Sequence, residues 1–275
     1  MRLLVVALLL CVTDTFADSI ALQQWRSMQV RRNVRREPGM SGRIIGGYEA
    51  NIADLPFQLS VRRINYHICG ASVVDSSFAI TAAHCMTPKP DPEFITLQGG
   101  ATNRTDDIAG VIFQTEEIIV HPAYNPSTYH NDVALIRIVG TFEGYENVYP
   151  IALETVPITS NSLNPVYCTV SGWGLTDMYN GKLPEMLRAV RIPLIPYTDC
   201  RRKWSPLAVT TSMICAGEPR RDTCNGDSGG PLVCNDKLYG LVSWGANQCG
   251  GTYPGVYTSI TSKDVANFIA QYIPV

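Results

Sequence analysis

Apolar runs in residues 44–275 are short, rich in β-branched side chains and repeatedly cut by turn formers, a texture that narrows the possible folds sharply. Examples are Phe57-Gln58-Leu59-Ser60-Val61, Gly110-Val111-Ile112-Phe113, Val133-Ala134-Leu135-Ile136-Arg137-Ile138 and Leu238-Tyr239-Gly240-Leu241-Val242-Ser243-Trp244. β-Branched and aromatic residues suit a pleated surface, and the Gly, Pro, Asn and Asp between the runs break it. Helical periodicity arises only near the end. There Val265, Phe268, Ile269, Tyr272 and Ile273 form one face of a helix that starts near Asp264. The segment is long enough for a sizeable core in one or two packed units. The pattern predicts an all-β barrel or sandwich and does not choose between them.

The first 43 residues differ in kind. Arg2, the apolar run Leu3 to Val12 and the small residue Ala17 read as a secretory signal peptide over residues 1–17. That run is too short to cross a bilayer, which needs ~20 apolar residues, and no later segment approaches this length. An exported protein with no membrane association is expected. Residues 18–43 carry Arg26, Arg31, Arg32, Arg35, Arg36 and Arg43 and end in Pro38-Gly39-Met40-Ser41-Gly42-Arg43. Such basic, turn-rich sequence without periodicity suits an exposed, flexible segment. It is either a solvated tail or a propeptide, cut after Arg43 to expose Ile44-Ile45-Gly46-Gly47. Of the 22 Lys+Arg and 24 Asp+Glu, seven and three precede Ile44, leaving 15 against 21. A mildly acidic remainder gives no support for nucleic-acid binding.

The nine cysteines are an odd number for an exported chain, but Cys11 leaves with the signal peptide. Cys69, Cys85, Cys168, Cys200, Cys215, Cys224, Cys234 and Cys249 remain, enough for four bridges. No C-x-x-C pair or H-x-x-x-H run supports zinc as the alternative.

Three local stretches carry candidate chemistry. Gly226-Asp227-Ser228-Gly229-Gly230 holds a serine among glycines, followed by the strand-like Pro231-Leu232-Val233-Cys234. Glycines permit positive φ and bring backbone N–H groups close to a ligand, which suits a nucleophile that needs oxyanion donors beside it. Alone, such a stretch reads first as a turn. Thr81-Ala82-Ala83-His84-Cys85 offers a histidine, and Asn131-Asp132-Val133-Ala134-Leu135 a carboxylate at the mouth of an apolar strand. Singly, His84 is as well read as a structural histidine and Asp132 as a strand-start residue. Their separations in sequence do not say that they meet.

Together these stretches resemble the chymotrypsin-like (trypsin family) serine proteases. IIGG at Ile44, TAAHC at His84, NDVALI at Asp132, SGWG at Ser171, GDSGGP at Gly226, SWG at Ser243 and PGVYT at Pro254 stand in the family's order across residues 44–275. The resemblance implies two packed six-stranded antiparallel β-barrels with a C-terminal α-helix, the barrel boundary near residues 150–165 and the active site in the cleft between them. It implies a Ser-His-Asp triad with Ser228 as nucleophile, His84 as acid and base, and Asp132 as orienter of the imidazole. The N–H groups of Gly226 and Ser228 would hold the oxyanion. Asp227 would pair with the amino terminus made by cutting between Arg43 and Ile44, ordering the site in a zymogen.

Asp222 matches the aspartate at the base of trypsin's specificity pocket, which implies cleavage after Arg or Lys. Gly245 and Gly255 match the pocket walls, Thr223 could add a hydroxyl contact, and Ser243 and Trp244 belong to the same substrate-binding stretch. There are departures. Trp204 stands where trypsins usually carry tyrosine, Asn225 replaces the commoner glutamine, and Ala246-Asn247-Gln248 makes a longer segment. Chymotrypsin-like or mixed specificity is the alternative, and a non-catalytic regulatory homologue a further one. Asp222 also reads, more plainly, as a surface loop charge like Arg220 and Arg221.

The resemblance selects the bridges Cys69–Cys85, Cys168–Cys234, Cys200–Cys215 and Cys224–Cys249, the last closing the pocket. Trypsin's calcium-loop acids are unmatched, with Gly100 and Gly110 near their positions, so neither a metal nor a cofactor is expected. Asn103-Arg104-Thr105 is a glycosylation sequon. Expected partners are protein or peptide substrates, an activating trypsin-like protease or a second copy of the enzyme, and protein protease inhibitors, acting on a monomer.

Overall fold

The computed structural model describes residues 46–161, 163–176, 181–205, 208–246 and 249–274. The expected signal peptide, propeptide, Arg43 and Ile44 lie outside the described residues.

Strands β2 (Gln58–Arg63), β3 (Tyr66–Val73), β4 (Phe78–Thr81), β5 (Ile95–Gly99), β6 (Val111–Val120) and β7 (Ala134–Ile138) close a barrel in the order β2-β3-β4-β7-β6-β5. Alternation on β2 sends Leu59 and Val61 inward, where they meet Ala71, Leu97, Phe113 and Ile136. The second barrel uses β8 (Tyr167–Gly172), β9 (Arg188–Ile195), β10 (Met213–Ala216), β11 (Pro231–Cys234), β12 (Lys237–Trp244) and β13 (Gly255–Ser259). These run β9-β10-β13-β12-β11-β8, and β8 pairs with β9 to close the ring; β1 (Tyr48–Glu49) adds to the outside of β9. All these pairings are antiparallel. Two closed barrels resolve the choice that hydrophobic patterning left open.

Val170, Val190, Ile192, Leu232 and Tyr257 fill the second barrel. A further apolar cluster joins the two, with Ile80 and Leu135 from the first, Leu238 and Leu241 from the second, and Val265, Phe268 and Ile269 from the C-terminal helix. That helix, α2 (Lys263–Ile269), ends earlier than its apolar periodicity predicts: Ile273 is buried beyond it, and Tyr272 is exposed. Helix α1 (Tyr197–Trp204) is one that the periodicity did not announce, since Cys200 is its only buried residue.

A polar pair bridges the barrel junction. Ser171 Oγ on β8 donates to Gln58 Oε1 on β2 at 2.7 Å, satisfying two buried side chains across the junction. Contact there is close enough to require glycine: a Cβ on Gly70 would lie 2.8 Å from Gly230 Cα. Disulfides join Cys69–Cys85, Cys168–Cys234, Cys200–Cys215 and Cys224–Cys249.

Candidate active site

The pairing of β4 with β7 sets Thr81 opposite Ala134. His84 leaves β4 on the short 3-10 turn Ala83–Met86, and Asp132 precedes β7, so both emerge at one end of the same strand pair. There the His84 Nδ1 lies 2.7 Å from Asp132 Oδ2, and the His84 backbone N–H donates to Asp132 Oδ1 at 2.8 Å. Asp132 is fully buried, and a third contact to its carboxylate comes from the other barrel: Ser243 Oγ donates to Oδ2 at 2.5 Å. Thr258 Oγ1 donates to the Asp132 carbonyl at 2.8 Å. A buried carboxylate so furnished holds Nδ1 as the protonated nitrogen and leaves Nε2 as the free base. The ring of Tyr129 meets His84 edge to face, with centroids 5.5 Å apart.

Ser228 sits on the turn before β11, half-buried. Its carbonyl accepts the Gly70 N–H of the first barrel at 2.8 Å and lies 3.8 Å from the Cys85 sulfur, which places it beside the chain neighbour of His84. Gly229 at φ 75 passes so close to Thr81 and Gly70 that a Cβ would collide with both. Among the described residues, neither the Gly226 nor the Ser228 N–H has a hydrogen-bond acceptor. Two unpaired backbone donors beside a serine are the components of an anion site.

Sequence reading missed a bridge behind this turn. His67 Nε2 donates to the Gly226 carbonyl at 3.0 Å, and its Nδ1 accepts from Ser60 Oγ at 2.8 Å. Burial holds the His67 imidazole down at about 4, so it stays neutral. The signal was its place on a β strand two residues before Cys69 in a chain with only four histidines.

Asp227 is fully buried and accepts from Gly174 N at 2.8 Å and Cys224 N at 3.0 Å. Burial pushes its carboxyl up to about 6, against those two bonds, and the charge of Asp222 adds to the rise. A side chain on Gly172 or Gly174 would run into this carboxylate.

Asp222 is buried in the structure, which removes the reading of it as a surface charge. It accepts from Thr223 N at 2.9 Å and Gly250 N at 3.0 Å, and burial raises its carboxyl to about 6. A Cβ on Gly255 would lie 3.1 Å from Asp222 Oδ1, whereas one on Gly245 would meet nothing within 4 Å. The Cys224–Cys249 bridge spans the same region. Trp244 packs edge to face on Trp204 at 4.8 Å, and Trp204 donates its Nε1 to the Pro254 carbonyl at 2.9 Å. Ser243, read with the substrate-binding stretch, has its hydroxyl on Asp132. Of the longer segment after Gly245, Asn247 and Gln248 lie outside the described residues.

The family model described as Trypsin matches residues 44–269. This chain belongs to the trypsin family. Trypsin II-P29 of Gallus gallus is 35% identical over 221 residues, covering 79% of this chain and 85% of that protein. Trypsin alpha-4 of Lucilia cuprina is 35% identical over 227 residues (82% and 86%), and Trypsin epsilon of Drosophila erecta 35% over 234 (84% and 86%). The chain is a trypsin-like serine endopeptidase, and enzymes of this kind act on protein substrates. No helix of the described residues is long and apolar enough to cross a membrane.

The grouping of Cys69, His84 and Cys85 brings three metal-ligand types together, but the two sulfurs are bonded to each other and cannot bind an ion as thiolates. Asn103 keeps its side-chain oxygen on Thr105, accepting from N at 2.9 Å and Oγ1 at 2.8 Å.

Proposed function

We propose that the protease cuts on the C-terminal side of Arg or Lys through an acyl-enzyme on Ser228. Ser228 Oγ attacks the scissile carbonyl while His84 Nε2 takes its proton. The N–H groups of Gly226 and Ser228 receive the oxyanion, donors of a type worth ~3–4 kcal/mol each. As the C–N bond breaks, His84 returns the proton to the leaving amine. Water then attacks the ester with His84 again as base, releasing the acid and restoring Ser228. The observation that carries this reading is the buried Asp132 carboxylate fixed to His84 Nδ1 at 2.7 Å, with the Ser228 carbonyl 3.8 Å from the sulfur of the next residue, Cys85.

Asp222 supplies the specificity. A substrate guanidinium or ammonium would pair with its carboxylate, and an apolar side chain would leave that charge unpaired in a buried site. Gly245 and Gly255 leave room for the long side chain to reach it.

The same reading makes the chain an exported zymogen. The signal peptide covers residues 1–17 and the propeptide 18–43, and cleavage after Arg43 frees the Ile44 amine. Asp227 is its acceptor: a buried carboxylate with two backbone donors is poised to take a cation. Gly46, two residues downstream of Ile44, lies against the Arg220 carbonyl.

The test is labelling of the chain cut after Arg43 with diisopropyl fluorophosphate, followed by cleavage profiling on a peptide library. Ser228 is expected to be the labelled residue, Ser228→Ala to take no label, and Arg and Lys to dominate the position before the cut. A preference for Phe would overturn the role of Asp222, and absence of labelling would overturn the enzyme mechanism.

A further inference from the structure

The peptide that carries the Gly226 N–H is fixed through Asn225, whose carbonyl accepts Leu175 N at 2.7 Å, and Gly226 itself has two further supports. On one side, His67 donates to its carbonyl. On the other lies Leu183: a Cβ on Gly226 would sit 3.0 Å from Leu183 Cδ2. Leu183 is in a connecting segment with no strand or helix of its own, so something else must fix it.

That support comes from the first barrel. Arg104 Nε donates to the Pro184 carbonyl at 2.8 Å, and its Nη2 to the Leu183 carbonyl at 3.3 Å. Backbone bonds run alongside, Arg104 N to Glu185 O at 2.9 Å and Leu187 N to Thr102 O at 2.8 Å. The side chain therefore grips the two carbonyls nearest Leu183, one step beyond the last of the backbone bonds. Arg104 also stands close enough to His67 for its charge to help keep that ring neutral. Both of these further supports of Gly226 thus lie within the reach of one guanidinium. Arg104 takes no other part in the chemistry proposed above.

We propose that Arg104 is a positioning residue for the oxyanion site, seating Leu183 against Gly226 and so keeping the Gly226 N–H turned toward the cleft. The proposal rests on the reading of Gly226 as an oxyanion donor. Gly226 has φ 98, and a glycine has little conformational preference of its own, so its orientation depends on what packs around it. Without the guanidinium, Leu183 is free to lift away, and the Gly226 N–H, still tethered through Asn225, can tilt out of line.

The experiment compares wild type with Arg104→Ala, Arg104→Lys and Leu183→Ala, each produced as the full chain and cut after Arg43, with the cut checked by N-terminal sequencing. Two quantities are read: the second-order rate of inactivation by diisopropyl fluorophosphate, with its final stoichiometry, and kcat and KM on a peptide amide. Arg104→Ala is expected to label to the wild-type stoichiometry about tenfold more slowly, with kcat reduced about tenfold and KM within about twofold. Leu183→Ala is expected to reproduce this loss with Arg104 intact. Arg104→Lys, which keeps one cationic donor, recovers part of the rate. Should Arg104→Ala fold poorly, the other two variants carry the comparison. Inactivation within about twofold of wild type in Leu183→Ala, or a raised KM with unchanged kcat in either Arg104 variant, overturns the proposal. Wild type that takes no label at all would instead sink the catalytic reading beneath it.

Discussion

Asp222 holds its proton up to about 6 because burial outweighs the two N–H bonds that favour its charged form. A cation bound there competes with that proton. Benzamidine, cationic across the whole range, is expected to bind with constant affinity above about pH 7 and to weaken toward tenfold per pH unit below about 6. Inhibition constants measured from pH 5 to 8 check this, and Asp222→Asn should bind weakly with a flat profile. A pH-dependent profile surviving in that variant would point to another group. Such residues were legible because each travels in a short local motif: Asp222 just before GDSGGP, His84 in TAAHC, Asp132 in NDVALI. The Ser60–His67–Gly226 bridge was not. It depends on the pairing of β2 with β3, including the irregularity between Val61 and Arg62, and on the approach of a second barrel.

At the scale of elements, the junction allows little extra volume. Gly70→Ala would press a methyl group on Gly230, where backbone and not a flexible side chain must yield. A loss of at least about 2 kcal/mol is expected, read by chemical denaturation in a Ser228→Ala background that prevents self-digestion. Phe268→Ala should cost about 3–5 kcal/mol in the same assay, since α2 is anchored chiefly through the buried cluster shared by both barrels. Strand positions were visible in sequence because alternation and turn residues are local. The early end of α2 was not, because Ile273 stays buried after the helix has stopped and keeps the apolar spacing going. Helix α1 was hidden by YTDCRRKW, whose charged face leaves only Cys200 in the interior.

For the whole molecule, activity is expected to wait on one cut. Arg43→Gln should give a stable chain with activity reduced by more than about a hundredfold, checked by N-terminal sequencing beside a peptide assay, because Asp227 would lack the Ile44 amine. Full activity of that uncut variant would remove the zymogen reading. The barrels also depend on each other at the site. The carboxylate of the first is held by Ser243 of the second, and the Ser228 carbonyl of the second by the Gly70 amide of the first. Neither barrel holds His84, Asp132 and Ser228 together. By the proposed mechanism, halves that have folded but not yet met form no active site, so the docking of the barrels is itself a condition for activity.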